Sequence, residues 1–196
     1  MKRLLFCSSL LISQIFLGHY NALALKYISV TSGNFSSTGT WLGGLIPPVN
    51  FSLGDTILID NGHNVLLDQD ITFSHAAAQL DIRGMLRSAG SEYINFNGSS
   101  KLSVSGTLDI DSMALVNVTN ADINGQCNVK KLRCLIFSAT GSGSLLISER
   151  LHLYGSLSNT GGHTINIAPN AEIHMAGGEI IPSGTGIFTL PSSYDV

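Results

Sequence analysis

Two stretches of this chain repeat one another at an interval of 22 residues, and that repeat limits the available folds more than any other feature. Leu80-Asp81-Ile82-Arg83-Gly84-Met85-Leu86 aligns with Leu102-Ser103-Val104-Ser105-Gly106-Thr107-Leu108. Gly62 precedes Gly84 by the same interval, and Gly155 and Gly177 repeat it further on. Leu151-His152-Leu153-Tyr154-Gly155-Ser156-Leu157 fits the same template, and Ile173-His174-Met175-Ala176-Gly177 continues it. A second column supports the register: 14 residues after each leading apolar position come Ile94-Asn95-Phe96, Val116-Asn117-Val118 and Ile165-Asn166-Ile167. Within each unit apolar and polar residues alternate, which is the period of a strand. Short strands turned by Gly, Asn or Ser at a fixed period describe a chain that stacks on itself.

The fold expected is therefore all-β, a single-stranded right-handed parallel β-helix (a solenoid) with about 22 residues per rung and roughly eight rungs. Rungs about 4.8 Å apart would make a rod near 40 Å long. Leu80, Ile82, Leu102, Val104, Leu151 and Leu153 are expected inside the coil. Residues 122–150 break the period and contain two cysteines, the basic cluster Lys130, Lys131 and Arg133, and Gly141-Ser142-Gly143. That segment reads as an irregular or enlarged rung, with the basic cluster on a solvated turn.

The N-terminus belongs to export rather than to the fold. Lys2 and Arg3 precede an apolar run from Leu4 to Leu17, followed by the small-residue site Ala22-Leu23-Ala24. This order makes residues 1–24 a signal peptide cleaved after Ala24, and residues 25–196 the β-helix domain. The apolar run falls short of the roughly 20 residues that cross a bilayer as a helix, so no stable membrane span is expected after processing. Cys7 stands at the start of that run rather than at the cleavage site, which argues against a lipid anchor. The mature protein is expected to be secreted or held at the cell surface.

Removing Lys2 and Arg3 from the 10 basic residues leaves eight against 13 acidic ones, a net charge near −5. A nucleic-acid partner is poorly served by that balance. An oxidising compartment favours pairing Cys127 with Cys134, and such a disulfide would add about 2–3 kcal/mol.

Residues 38–86 hold an ordered set of motifs: Thr40-Trp41-Leu42-Gly43-Gly44, Pro47-Pro48, Gly54-Asp55-Thr56-Ile57-Leu58-Ile59, Gly62-His63-Asn64-Val65 and Gly84-Met85-Leu86. This set resembles the eight-glycine domain of extracellular and cell-surface proteins, over residues 26–110. The resemblance implies a β-helical fold and an extracellular setting, in a family with members linked to hyaluronan turnover or bacterial adhesion. It transfers no catalytic residue.

The residues that could carry chemistry are few. Trp41 reads as a cap on the open end of the coil, with a sugar-stacking platform as the functional rival. His152 and His174 occupy one repeat position, so they are expected as outward neighbours on adjacent strands, able to contact a ligand. No third metal ligand accompanies them, and neither a metal nor a cofactor is expected. Asp68 with Asp70, and Asp109 with Asp111, are i,i+2 pairs that would share a strand face, but glycoside cleavage needs two carboxyls opposed across a cleft. Asn95, Asn117 and Asn166 could form an asparagine ladder. Asn34, Asn50, Asn97 and Asn117 each open an Asn-x-Ser/Thr sequon. The expected function is non-catalytic adhesion or extracellular recognition of a glycan or a surface protein. The alternative is a polysaccharide-acting lyase or hydrolase, or a fragment of one.

Overall fold

The computed structural model describes residues 23–182 and 185–191, so the segment expected to be a signal peptide lies almost wholly outside the described residues. The named strands pair in parallel and stack as a β-solenoid of about 6 turns with about 21 residues per turn. Fewer turns form than the roughly eight expected. One reason is the first turn, which places Tyr27 beside Ile57, 30 residues on. Among the described residues no helix is long and apolar enough to cross a membrane.

Each turn lays down three flat faces. The first is built from Lys26–Ile28, Thr56–Ile59, Gln79–Ile82 and Lys101–Val104, with Ile57, Leu80 and Leu102 in register. Asn64–Leu67 and Met85–Ser88 begin the second face, and Ile71–Phe73 and Tyr93–Phe96 belong to the third. Strand Thr107–Leu115 bends from the second face to the third, pairing with Met85–Ser88 and then with Tyr93–Phe96.

Alternation turns every second residue inward, where like side chains lie over like. Phe51, Phe73 and Phe96 stack with ring centroids 4.6 and 4.8 Å apart and planes within 12°. Their column continues inward through Leu115, Cys134, Leu153 and Met175. At the corner between the first and second faces, Gly84, Gly106, Gly125 and Gly143 stack in turn. A Cβ on Gly106 or Gly125 would lie 2.0 Å from the carbonyl oxygen of the glycine below, so only glycine lets these backbones touch.

The turn length is not constant, and this corrects several expectations. Leu80 faces Leu102, a step of 22, but Leu102 faces Ala121, a step of 19, and Cys127 faces Leu145, a step of 18. Residues 122–150 thus form contracted turns rather than an enlarged one. Strand Gln126–Thr140 contains no glycine or proline, and it rounds two corners without a loop. The contraction moves the Leu151 segment to the third face, away from Leu80 and Leu102. Gly155 lies against Gly178 rather than Gly177, whose φ of 82° makes a turn. The asparagine ladder does not form: Asn95 faces Ala114, Asn166 faces Leu146, and Asn117 donates to Ser99 Oγ at 3.0 Å.

The expected Cys127–Cys134 disulfide is also absent. Cys127 sits between Leu108 and Leu145 on the second face, Cys134 between Leu115 and Leu153 on the third, and both are free and buried. They serve as small apolar residues in separate core columns, and burial pushes both thiols up to about 12. Trp41 is buried rather than presented on the surface. It is 2% exposed, meets Phe35 edge-on at 5.2 Å, and its indole N–H donates to the Phe35 carbonyl at 2.7 Å.

Candidate functional site

The outer surface of the third face and its corner hold five of the six ion pairs among the described residues. Because register is kept along the stack, its outward residues form two columns. One runs Tyr93, Ser112, Lys131, Arg150, Glu172, and the other runs Asn95, Ala114, Arg133, His152, His174. The basic cluster therefore lies mainly on a strand rather than on a solvated turn: Lys131 and Arg133 point out of the middle of the face, and Lys130 occupies its corner.

The charges at one side of the face are already matched. Asp111 receives Lys130 at 3.3 Å and Lys131 at 3.4 Å, and Lys131 also lies 3.8 Å from Glu149. Burial pushes the Asp111 carboxyl upward, but hydrogen bonds and charge from the two lysines outweigh it and hold the group below the usual carboxylate range. Arg150 pairs with Glu172 at 2.7 Å. His152 and His174 are neighbours as expected, with ring centroids 4.6 Å apart and planes at 85°. His174 Nε2 lies 3.4 Å from Glu172 Oε2. Burial, then the positive neighbours His174, Arg150 and Arg133, lower the His152 pKa and favour its neutral form.

Arg133 is different. Its guanidinium stacks over the Tyr154 ring at 4.9 Å from the centroid, and it makes no ion pair among the described residues. It lines an open depression of about 340 Å³ together with Tyr93, Asn95, Leu135 and Tyr154. Burial raises the Tyr93 hydroxyl, and the Arg133 charge opposes that rise, which places the two side chains in one electrostatic neighbourhood. Asn95 Oδ1 is buried and has no hydrogen-bond donor among the described residues. A second depression of about 170 Å³ shares Tyr93 and Arg133 and extends to His152, and a third of about 380 Å³ adjoins it through Lys131 and Arg150. The three form one shallow groove across the face, running with the strands.

The carboxylate pairs are structural. Asp68 accepts the Ser36 N–H at 3.1 Å and its hydroxyl at 2.5 Å, while Asp70 accepts the Tyr93 N–H at 2.8 Å. Asp109 is exposed on the second face beside Arg87 and Asn128, and Asp111 is buried at the next corner. Neither pair shares a strand face. The sequence singles out Asn95 and Arg133 but does not bring them together with Tyr93 and Tyr154, because a constant 22-residue step does not place Arg133 over Asn95. Two steps of 19 residues, from Asn95 through Ala114 to Arg133, do so and leave no motif. A comparison with protein-family models, with curated proteins and with solved structures finds no match for this chain.

Proposed function

We propose that this chain is an exported or cell-surface recognition module whose ligand surface is the groove on the third face. One observation carries the reading: the guanidinium of Arg133, free of any carboxylate among the described residues, stacks over Tyr154 and lines one depression with Tyr93 and Asn95, whose side-chain oxygen lacks a donor among the described residues. Aromatic and arginine side chains set on a rigid scaffold are the groups that anchor binding interfaces. The signal-like N-terminus and the likeness of residues 26–110 to the eight-glycine domain support an extracellular setting. Polysaccharide cleavage fits less well, because Asp111, Glu149 and Glu172 on this face are each paired with a lysine or arginine, whereas glycosidases need two working carboxyls across the scissile bond.

The test is binding of the labelled mature protein to a glycan array, a panel of secreted and surface proteins, and whole cells. Saturable binding that falls in Arg133→Gln, with an unchanged melting temperature, is the expected result. Polysaccharide cleavage by the wild type without such binding would overturn the reading in favour of an enzyme.

A further inference from the structure

The geometry points to the occupant of this groove: an extended segment of a partner protein carrying one acidic side chain close to one aliphatic side chain. This inference rests on the recognition role proposed above and names its ligand class.

Three features of the groove select that chemistry. Its polarity is graded along the strand direction. Val116 and Leu135, the latter 41% exposed, form an apolar end, Arg133 stands in the middle, and Lys131 and Arg150 lie at the far end, already engaged by carboxylates. From Lys131 to Leu135 the strand covers about 13 Å at roughly 3.3 Å per residue, the length of four or five extended peptide residues. A sugar chain would set hydroxyl groups against Leu135 and Val116, whereas a Leu, Ile or Val side chain would cover them.

The second feature is the state of Arg133. Its guanidinium is oriented by stacking on Tyr154 and has no competing carboxylate, so its paired N–H groups are ready to take one carboxylate in the bidentate fashion arginine favours. The third is Asn95. A buried carbonyl oxygen without a donor carries a desolvation cost that a ligand N–H removes, and an extended peptide offers a backbone N–H at every second position on one side. Cation, acceptor and apolar shelf in that order match an acid, a backbone amide and an aliphatic side chain.

The probe is an immobilised array of pentapeptides in which one acidic and one aliphatic position are varied in spacing and order, incubated with the full secreted chain. Selected peptides are then titrated by fluorescence anisotropy against wild type, Arg133→Gln, Arg133→Lys and Leu135→Ser, with thermal melts confirming that each variant folds. Selected sequences should carry Asp or Glu within one to three residues of Leu, Ile or Val. Arg133→Gln should weaken binding at least tenfold, Arg133→Lys should restore part of it, and Leu135→Ser should erase the aliphatic preference while keeping the acidic one. Peptides selected without either feature, or bound equally by Arg133→Gln, would overturn the inference. Arg133-dependent binding of acidic glycans with no peptide selected would overturn it while leaving the recognition role intact. Failure to bind peptides, glycans and cells alike would overturn both.

Discussion

Replacing Gly125 by alanine places a methyl group 2.0 Å from the Gly106 carbonyl oxygen and 2.7 Å from the Ser105 carbonyl carbon. An ordinary carbon–oxygen contact begins near 3.3 Å, so the two turns must part by more than about 1 Å at this corner. Three backbone hydrogen bonds span the same gap: Asn124 and Gly125 donate to Val104 O at 2.8 Å, and Gln126 donates to Gly106 O at 2.9 Å. Parting by 1 Å takes all three beyond hydrogen-bonding distance. Each is worth about 1 kcal/mol net, and forcing a methyl into a packed site costs a further ~1–3 kcal/mol. The total is about 4–6 kcal/mol, a large share of the stability of a domain this size. At roughly 2–4 °C per kcal/mol the melting temperature should fall by on the order of 10 °C. Circular dichroism during heating reads the shift. Gly90→Ala is the control, since its nearest neighbour beyond the adjacent residues is Glu92 Oε1 at 3.7 Å, and it should stay within about 1 kcal/mol of wild type. If Gly125→Ala melts within about 2 °C of the unsubstituted protein, the turns do not touch there and the register argument fails.

The ring stack should be as demanding: Phe73→Ala is expected to cost about 3–5 kcal/mol in urea unfolding, and Phe73→Leu clearly less, while equal losses would deny the stack between Phe51 and Phe96 an independent role. In native protein neither Cys127 nor Cys134 should react with an aromatic disulfide reagent at neutral pH, and both should react in denaturant, whereas a mass two hydrogens short would reveal a disulfide. His163 is fully buried, and burial depresses its pKa below the ordinary 6.5. Its unfolded form therefore takes up a proton at higher pH than the folded form. Stability should be full above about pH 6.5 and fall as pH drops from there toward the depressed folded value, and His163→Leu should flatten that slope in pH-dependent unfolding.

Much of the fold was legible because a stacking coil writes itself into sequence as a period. Leu80 over Leu102 and Gly84 over Gly106 are local facts: the same apolar alternation and the same corner glycine recur after one turn, and both pairs are adjacent in the structure. Legibility failed where the turn length changed. Nothing in the composition of Gln126–Thr140 announces that its corners are three or four residues shorter, because a tight corner needs only the absence of loop residues. Once the step shifted, the asparagine ladder and the Gly155–Gly177 pairing slipped by a few positions, while the disulfide failed because Cys127 and Cys134 lie on different faces. His152 and His174 survived because the step between them returned to 22.

The amino-acid sequence by itself therefore determined that the chain is all-β, that it coils in parallel, and which residues alternate inward. Those properties follow from side-chain period and from glycine, both of which act between near neighbours. Only the tertiary structure decided which outward residues meet. Tyr93, Arg133 and Tyr154 come together through the accumulated lengths of the turns between them, and a difference of one residue in any of those turns would reverse the side chain from solvent to core.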